Sequence, residues 1–175
     1  GEKSILFQVE AEDGAVLDFE EELEPEISVR AACADSSGNL HMLLSKRGNS
    51  EWTEILTLDK SGQTISRIDV SDVKDETGIS DLYMTIGTDG SYYISYTHNE
   101  GSSILVVDGK GSRKEHFAIS VRLVGLGTGR SGQVYGMVYD RDSQYLAALT
   151  EEGEMEPCPN GAFPGMPIIV SCLAP

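Results

Sequence analysis

The chain is short of positive charge, of long apolar runs and of cysteine. It carries 13 Lys and Arg against 29 Asp and Glu, a formal charge of −16. That balance repels phosphates and anionic headgroups, so no nucleic-acid partner is expected. It also favours solubility, without naming a partner. No stretch approaches the ~18–20 apolar residues of a membrane-spanning helix, so no direct membrane insertion is expected. The opening Gly1-Glu2-Lys3-Ser4 has neither the basic stretch nor the apolar core of a signal peptide. A chain that opens on Gly reads as processed or trimmed, with any targeting segment already removed. Three cysteines are an odd number. Cys33 and Cys172 fall at the same point of a repeated pattern and read as small packing residues. Cys158 sits alone in a proline-rich turn, and a Cys158–Cys172 disulfide stays an open alternative to free thiols. Their spacing is not that of a zinc site. Sustained helical periodicity with caps is also missing, which leaves an all-β chain.

What is present is a repeat. A Gly turn leads into a strand at Ser37-Gly38-Asn39-Leu40, at Asp89-Gly90-Ser91-Tyr92 and at Ser131-Gly132-Gln133-Val134. A second, mostly acidic Gly turn closes the strand after each, at Asp59-Lys60-Ser61-Gly62, Asp108-Gly109-Lys110-Gly111 and Thr150-Glu151-Glu152-Gly153. The first glycines are 52 and 42 residues apart, the second 49 and 42. Several strands per copy at this period are the signature of propeller blades. Each copy parses into four strands, giving blades at about 27–70, 80–119 and 121–158, the last ending in a short strand near Met155. Strands such as Leu40–Leu44 and Val134–Tyr139 are apolar on both sides, which suits a blade with a neighbour on each face. Fourth strands, such as Thr64–Val70, are more polar, as an outer rim requires.

The ends are out of phase with the repeat. Residues 4–19 match the third and fourth strands of a blade, and 167–173 match a first strand. The expectation is a single β-propeller-type domain with partial blades at both ends. It is either a segment of a larger propeller or a small four-bladed ring closed by the termini, and exposed strand edges in the first case would make a homodimer through the terminal strands.

The Asp35-Ser36-Ser37-Gly38-Asn39-Leu40, Ile55–Gly62 and Ile104–Gly111 elements resemble the bacterial propeller repeats of the NHL and quinoprotein-like type. Such repeats occur in secreted lipoproteins and ahead of extracellular solute-binding proteins. The resemblance implies a propeller fold and an extracytoplasmic setting, secreted or lipoprotein-anchored, and it transfers no functional residue.

The candidate chemistry is sparse. Asp35–Asn39 lacks the alternating oxygen ligands of a calcium loop and reads as a tight turn. Gly125–Gly132 lacks the Lys-Ser/Thr and the following helix of a phosphate cradle. His41, His98 and His116 fall on a second strand, a loop and an outer strand, with no spacing that gathers them. The Glu20–Glu26 charge run reads as a solvated connector. The sequence therefore offers no catalytic residue, no metal ligand and no cofactor. Its seven tyrosines concentrate in the second and third blades, mostly as packing. Trp52 sits in the polar stretch Lys46–Thr53, where an apolar ring has less reason to be buried. Trp52, Tyr93 and Tyr135 are the candidate ligand-binding residues, because aromatic faces serve both glycan stacking and protein hot spots. The expected function is a non-enzymatic module that binds a protein or carbohydrate partner. The alternatives are a lactonase- or lyase-type propeller enzyme using a divalent cation at a central channel, and a purely structural or oligomerisation domain.

Overall fold

The computed structural model describes residues 3–10, 16–23, 26–46, 52–73, 80–98, 101–140 and 143–159. The terminal strand expected at 167–173, and Cys172 with it, lies outside them. Every regular element among the described residues is a strand. In chain order they are β1 (Lys3–Glu10), β2 (Val16–Leu23), β3 (Ile27–Ala34), β4 (Leu40–Lys46), β5 (Trp52–Leu58), β6 (Thr64–Asp69) and β7 (Ser80–Ile86). They continue with β8 (Tyr92–His98), β9 (Gly101–Val107), β10 (Arg113–Ile119), β11 (Arg122–Thr128), β12 (Val134–Asp140), β13 (Ser143–Leu149) and β14 (Met155–Pro157). β1 and β2 form a two-stranded sheet, and β3–β6, β7–β10 and β11–β14 each form a four-stranded antiparallel meander. These meanders are propeller-type blades.

Backbone contacts divide the chain into two compact units, one reaching to Asp75 and one beginning at Glu76. In the first unit, Ala32, Leu40, Met42, Leu44, Leu56 and Leu58 form one buried face of the β3–β6 blade. Leu43 and Ile55, which point the other way, are also fully buried, so the blade is dry on both faces. In the second unit the blades β7–β10 and β11–β14 share one core. Ile104, Val106 and Ile119 meet Leu123, Leu126, Val134, Val138, Ala147 and Leu149, each Val, Leu and Ile side chain contributing about 1.5–3 kcal/mol of burial. At the first strands of these two blades, the Thr85 and Thr128 hydroxyls bond at 3.0 Å and Arg122 pairs with Asp81. The outer strand β6 alternates between exposed and half-buried side chains, as the rim of a blade should.

All six repeated turns close the same way. The amide of the first residue donates to the carbonyl four residues on, as Asp35 N does to Asn39 O and Asp108 N to Ser112 O. The glycine amide donates back to the first residue's carbonyl. Each glycine has φ between 77° and 87°, the left-handed conformation that closes a three-residue hairpin. Where Asp leads the turn, its side chain reinforces it: Asp108 Oδ1 accepts from Lys110 N and Ser112 N at 2.8 and 2.9 Å. A bulge recurs too. One extra residue enters the first strand of each blade, between Val29 and Ala31, between Ser80 and Tyr83, and between Leu123 and Gly125. Asp81, with φ of 47°, sits in the second of these.

Some boundaries move. β2 runs to Leu23, so the first glutamates of the charge run belong to a strand rather than a connector. β8 extends to His98, which is the last strand residue rather than a loop residue. β5 begins at Trp52, and that changes the reading of its indole.

Candidate functional site

Trp52 is 1% exposed. The expectation of an accessible ring was drawn from polar neighbours, yet a register shift between Leu44 and Ser45 pairs Ser45 with Trp52 and carries the indole into the blade. An irregular sequence neighbourhood says little about burial once a strand begins inside it. Trp52 is a packing residue, and it opens β5 at the strand end opposite to the Gly-turn edge.

Tyr93 and Tyr135 lie at the Gly-turn edge of the second unit, each the second residue of its second strand and each half-buried. Their rings cover the first residue of the turn. A methyl group on Gly87 would sit 3.0 Å from Tyr93 Cε2, and one on Gly129 would sit 2.9 Å from Tyr135 Cε2. Glycine and tyrosine thus form one packing unit in two successive blades. Beside Tyr93, Asp89 Oδ2 accepts from Ser91 Oγ at 2.7 Å and from Lys114 Nζ at 3.2 Å, and Lys114 Nζ lies 3.0 Å from Ser91 Oγ. The Ser91 bonds hold the Asp89 carboxyl below its ordinary range, and the Asp89 carboxylate raises Lys114. Burial, reinforced by Asp89, pushes the Tyr93 phenol up. The edge therefore presents a neutral phenol, a carboxylate and an ammonium side by side.

The first blade has His41 where the others have tyrosine, and Asp35 where they have glycine. His41 is 5% exposed. Its Nδ1 lies 3.0 Å from Thr57 Oγ1 and its Nε2 3.4 Å from Asp35 Oδ2. Burial lowers its pKa despite Asp35. Burial alone would raise Asp35, but the bonds from Asn39 and His41 outweigh it and hold the carboxyl down. Asp35 Oδ1 also accepts from Ser37 N and Asn39 N at 2.8 and 2.9 Å, and Oδ2 from Asn39 Nδ2 at 2.8 Å. Its carboxylate is thus shared between its own turn and His41. The glycine-rich stretch near Gly129 likewise uses the Gly129 and Gly132 amides to close its own turn.

The fold gathers two histidines that spacing did not. Tyr96 OH lies 3.2 Å from His116 Nε2, with the two rings stacked at 6.4 Å, and the His98 ring is also 6.4 Å from Tyr96. His98 Nε2 lies 3.2 Å from Ser103 Oγ. The signal that could have found this set is the repeat itself, since Tyr96 occupies the position of Leu44 and Val138. No group of three metal-ligating side chains occurs among the described residues. Cys33 and Cys158 are free thiols, and burial pushes the Cys33 thiol far up, out of reach of ionisation. A shallow concavity of about 280 Å³ on the first blade is lined by Thr53, Glu54, Asp69 and Ser71.

No family profile and no curated protein matches the chain by sequence. Solved structures similar to it include a protein of unknown function from Bacteroides caccae, at 12% identity and TM-score 0.44, covering 84% of this chain and 50% of that one. Virginiamycin B lyase from Staphylococcus aureus is similar at 16% identity and TM-score 0.48, covering 89% and 50%. A putative gluconolactonase is similar at 14% identity and TM-score 0.49, covering 84% and 54%. The chain spans about half the length of these proteins.

Proposed function

We propose that this chain is an extracytoplasmic binding module that recognises a protein or carbohydrate partner rather than transforming a substrate. One observation carries the reading. The three histidines are each engaged with neighbouring side chains: the buried His41 with Thr57 and Asp35, the half-buried His116 with Tyr96, and the half-buried His98 with Ser103. The half-exposed Asp89 and Lys114, by contrast, stand at the Gly-turn edge beside the half-buried Tyr93. Aromatic surface flanked by polar groups suits recognition. The extracytoplasmic setting follows the resemblance of the repeats to those of secreted lipoproteins.

The test is a thermal-shift screen of the whole chain against oligosaccharides, peptides and divalent cations. A carbohydrate or peptide that stabilises the protein, and loses its effect in Tyr93→Ala, supports the reading. Strong stabilisation by calcium or manganese at low concentration would sink it in favour of a metal-dependent enzyme.

A further inference from the structure

We propose that the far face of the β11–β14 blade, the side carrying Tyr135, Met137 and Tyr139, is a weak self-association surface. A second copy of this chain docks there with the same face of its own, independently of the binding role above.

The repeat places the surface. In the second unit the β7–β10 blade takes its neighbour on the side of Tyr93, Ile104, Val106 and Phe117. The β11–β14 blade meets it with Leu123, Val134, Val138, Ala147 and Leu149. Side chains alternate along a strand, and residues directly opposed on paired strands share a side. Tyr93 is opposed to Val106, and Tyr135 holds on β12 the position that Tyr93 holds on β8. The Tyr135 side is therefore the one on which a blade of this chain takes the next.

That side is less covered here than in the other blades. On β4 it reads His41, Leu43 and Ser45, at 5, 0 and 0% exposed. On β8 the half-buried Tyr93 is followed by Ser95 and Thr97, at 1 and 8%. On β12 Tyr135 and Met137 are half-buried and Tyr139 is 39% exposed. The surface thus continues the blade-on-blade interface of the second unit and suits the apolar side of a sheet.

Shape and charge select a second copy as that sheet. Met137 lies between Gly125 and Leu146, and Tyr135 between Gly127 and Ala148. The two glycines leave a trough on β11 beside a ridge on β12, and a ridge next to a trough is self-complementary about a two-fold axis. At a formal charge of −16 two copies repel each other, yet neither of these rows carries a charge. Charge enters at opposite corners, with Arg122 opposed to Tyr139 and Glu156 to Ala148. Two such sheets crossing near a right angle set each Arg122 over the other copy's Glu156. Strand rise and spacing make the face about 20 Å by about 15 Å, roughly 300 Å² per copy. An interface that small is of the transient class.

The experiment is sedimentation velocity of the full chain at low and high concentration and physiological ionic strength. We expect a reversible monomer–dimer equilibrium. Tyr139→Glu should keep the wild-type melting temperature and weaken association about tenfold or more, and Glu156→Lys should also weaken it. Ile65→Glu adds the same charge at the other exposed large apolar side chain, on β6, and should leave association unchanged. In methyl-labelled wild type, the Met137 signal should shift with concentration while those of the buried Met42 and Met84 stay in place. A concentration-independent monomer would overturn the proposal. So would a dimer indifferent to Tyr139→Glu or Glu156→Lys, a dimer lost in Ile65→Glu, or a concentration-dependent shift at Met166 without one at Met137.

Discussion

Gly153→Ala, compared with Gly90→Ala, separates two costs that a glycine turn conceals. Both glycines belong to the second unit and both hold left-handed backbones, with φ of 84° and 77°. Alanine at either must pay for that conformation, about 1–2 kcal/mol. At Gly90 nothing lies within 4 Å of the added methyl group, so the cost stops there. At Gly153 the methyl group would collide with Phe117 Cδ1 and lie 2.7 Å from Cγ and 3.0 Å from Cβ. Phe117 is packed against the shared core of the two blades, so its ring cannot swing aside freely. Overpacking of this kind costs about 1–3 kcal/mol more. The expected losses are thus about 1–2 kcal/mol for Gly90→Ala and about 2–5 kcal/mol for Gly153→Ala. Urea unfolding followed by circular dichroism, with m-values compared to confirm a common transition, measures both. Equal losses would refute the argument that the β13–β14 turn is wedged against β10.

Three further predictions test the blades. Leu58→Asp and Val106→Asp place a charge at positions 0% and 2% exposed, and should cost several kcal/mol and abolish soluble folded protein; cooperative melting of either variant would show the strand register to be wrong. Ser95 is 1% exposed, and its hydroxyl has no hydrogen-bond partner among the described residues, so Ser95→Ala should leave stability unchanged or raise it by up to about 1 kcal/mol, and a loss beyond 1 kcal/mol in urea titration would count against the packing described. Asp59 and Asp108 are held below their ordinary carboxyl range by bonds to their turns, the former chiefly by Ser61 and the latter by Ser112, so their stabilisation is present above pH 3.8 and lost as pH falls below it; melting temperatures from pH 5 to 2 should fall less steeply in Asp108→Asn.

The repeat was legible because its punctuation is local. Glycine after a short polar run, with Asp at the turn's start, encodes a hairpin through backbone conformation and a few side-chain bonds, and both are fixed within five residues. Apolar residues on both sides of Leu40–Leu44 then told that the first blade is covered on both faces, whereas on β12 one side is only half-buried and ends on the exposed Tyr139. Those features determined the all-β class, the four-stranded blades and the turns. Tertiary structure decided what the side chains at each position do. Trp52 looked exposed because its neighbours in sequence are polar, but a register shift between β4 and β5 buried it. His98 and His116 are 18 residues apart in sequence, and only the meander of β8, β9 and β10 sets both beside Tyr96. Asp35 and His41 read as a turn residue and a strand residue; the pleat that turns His41 inward sets its buried ring beside the half-buried Asp35 carboxylate. The division has one physical cause: turn conformation depends on neighbours along the chain, whereas burial and proton affinity depend on whatever the sheet brings across from elsewhere.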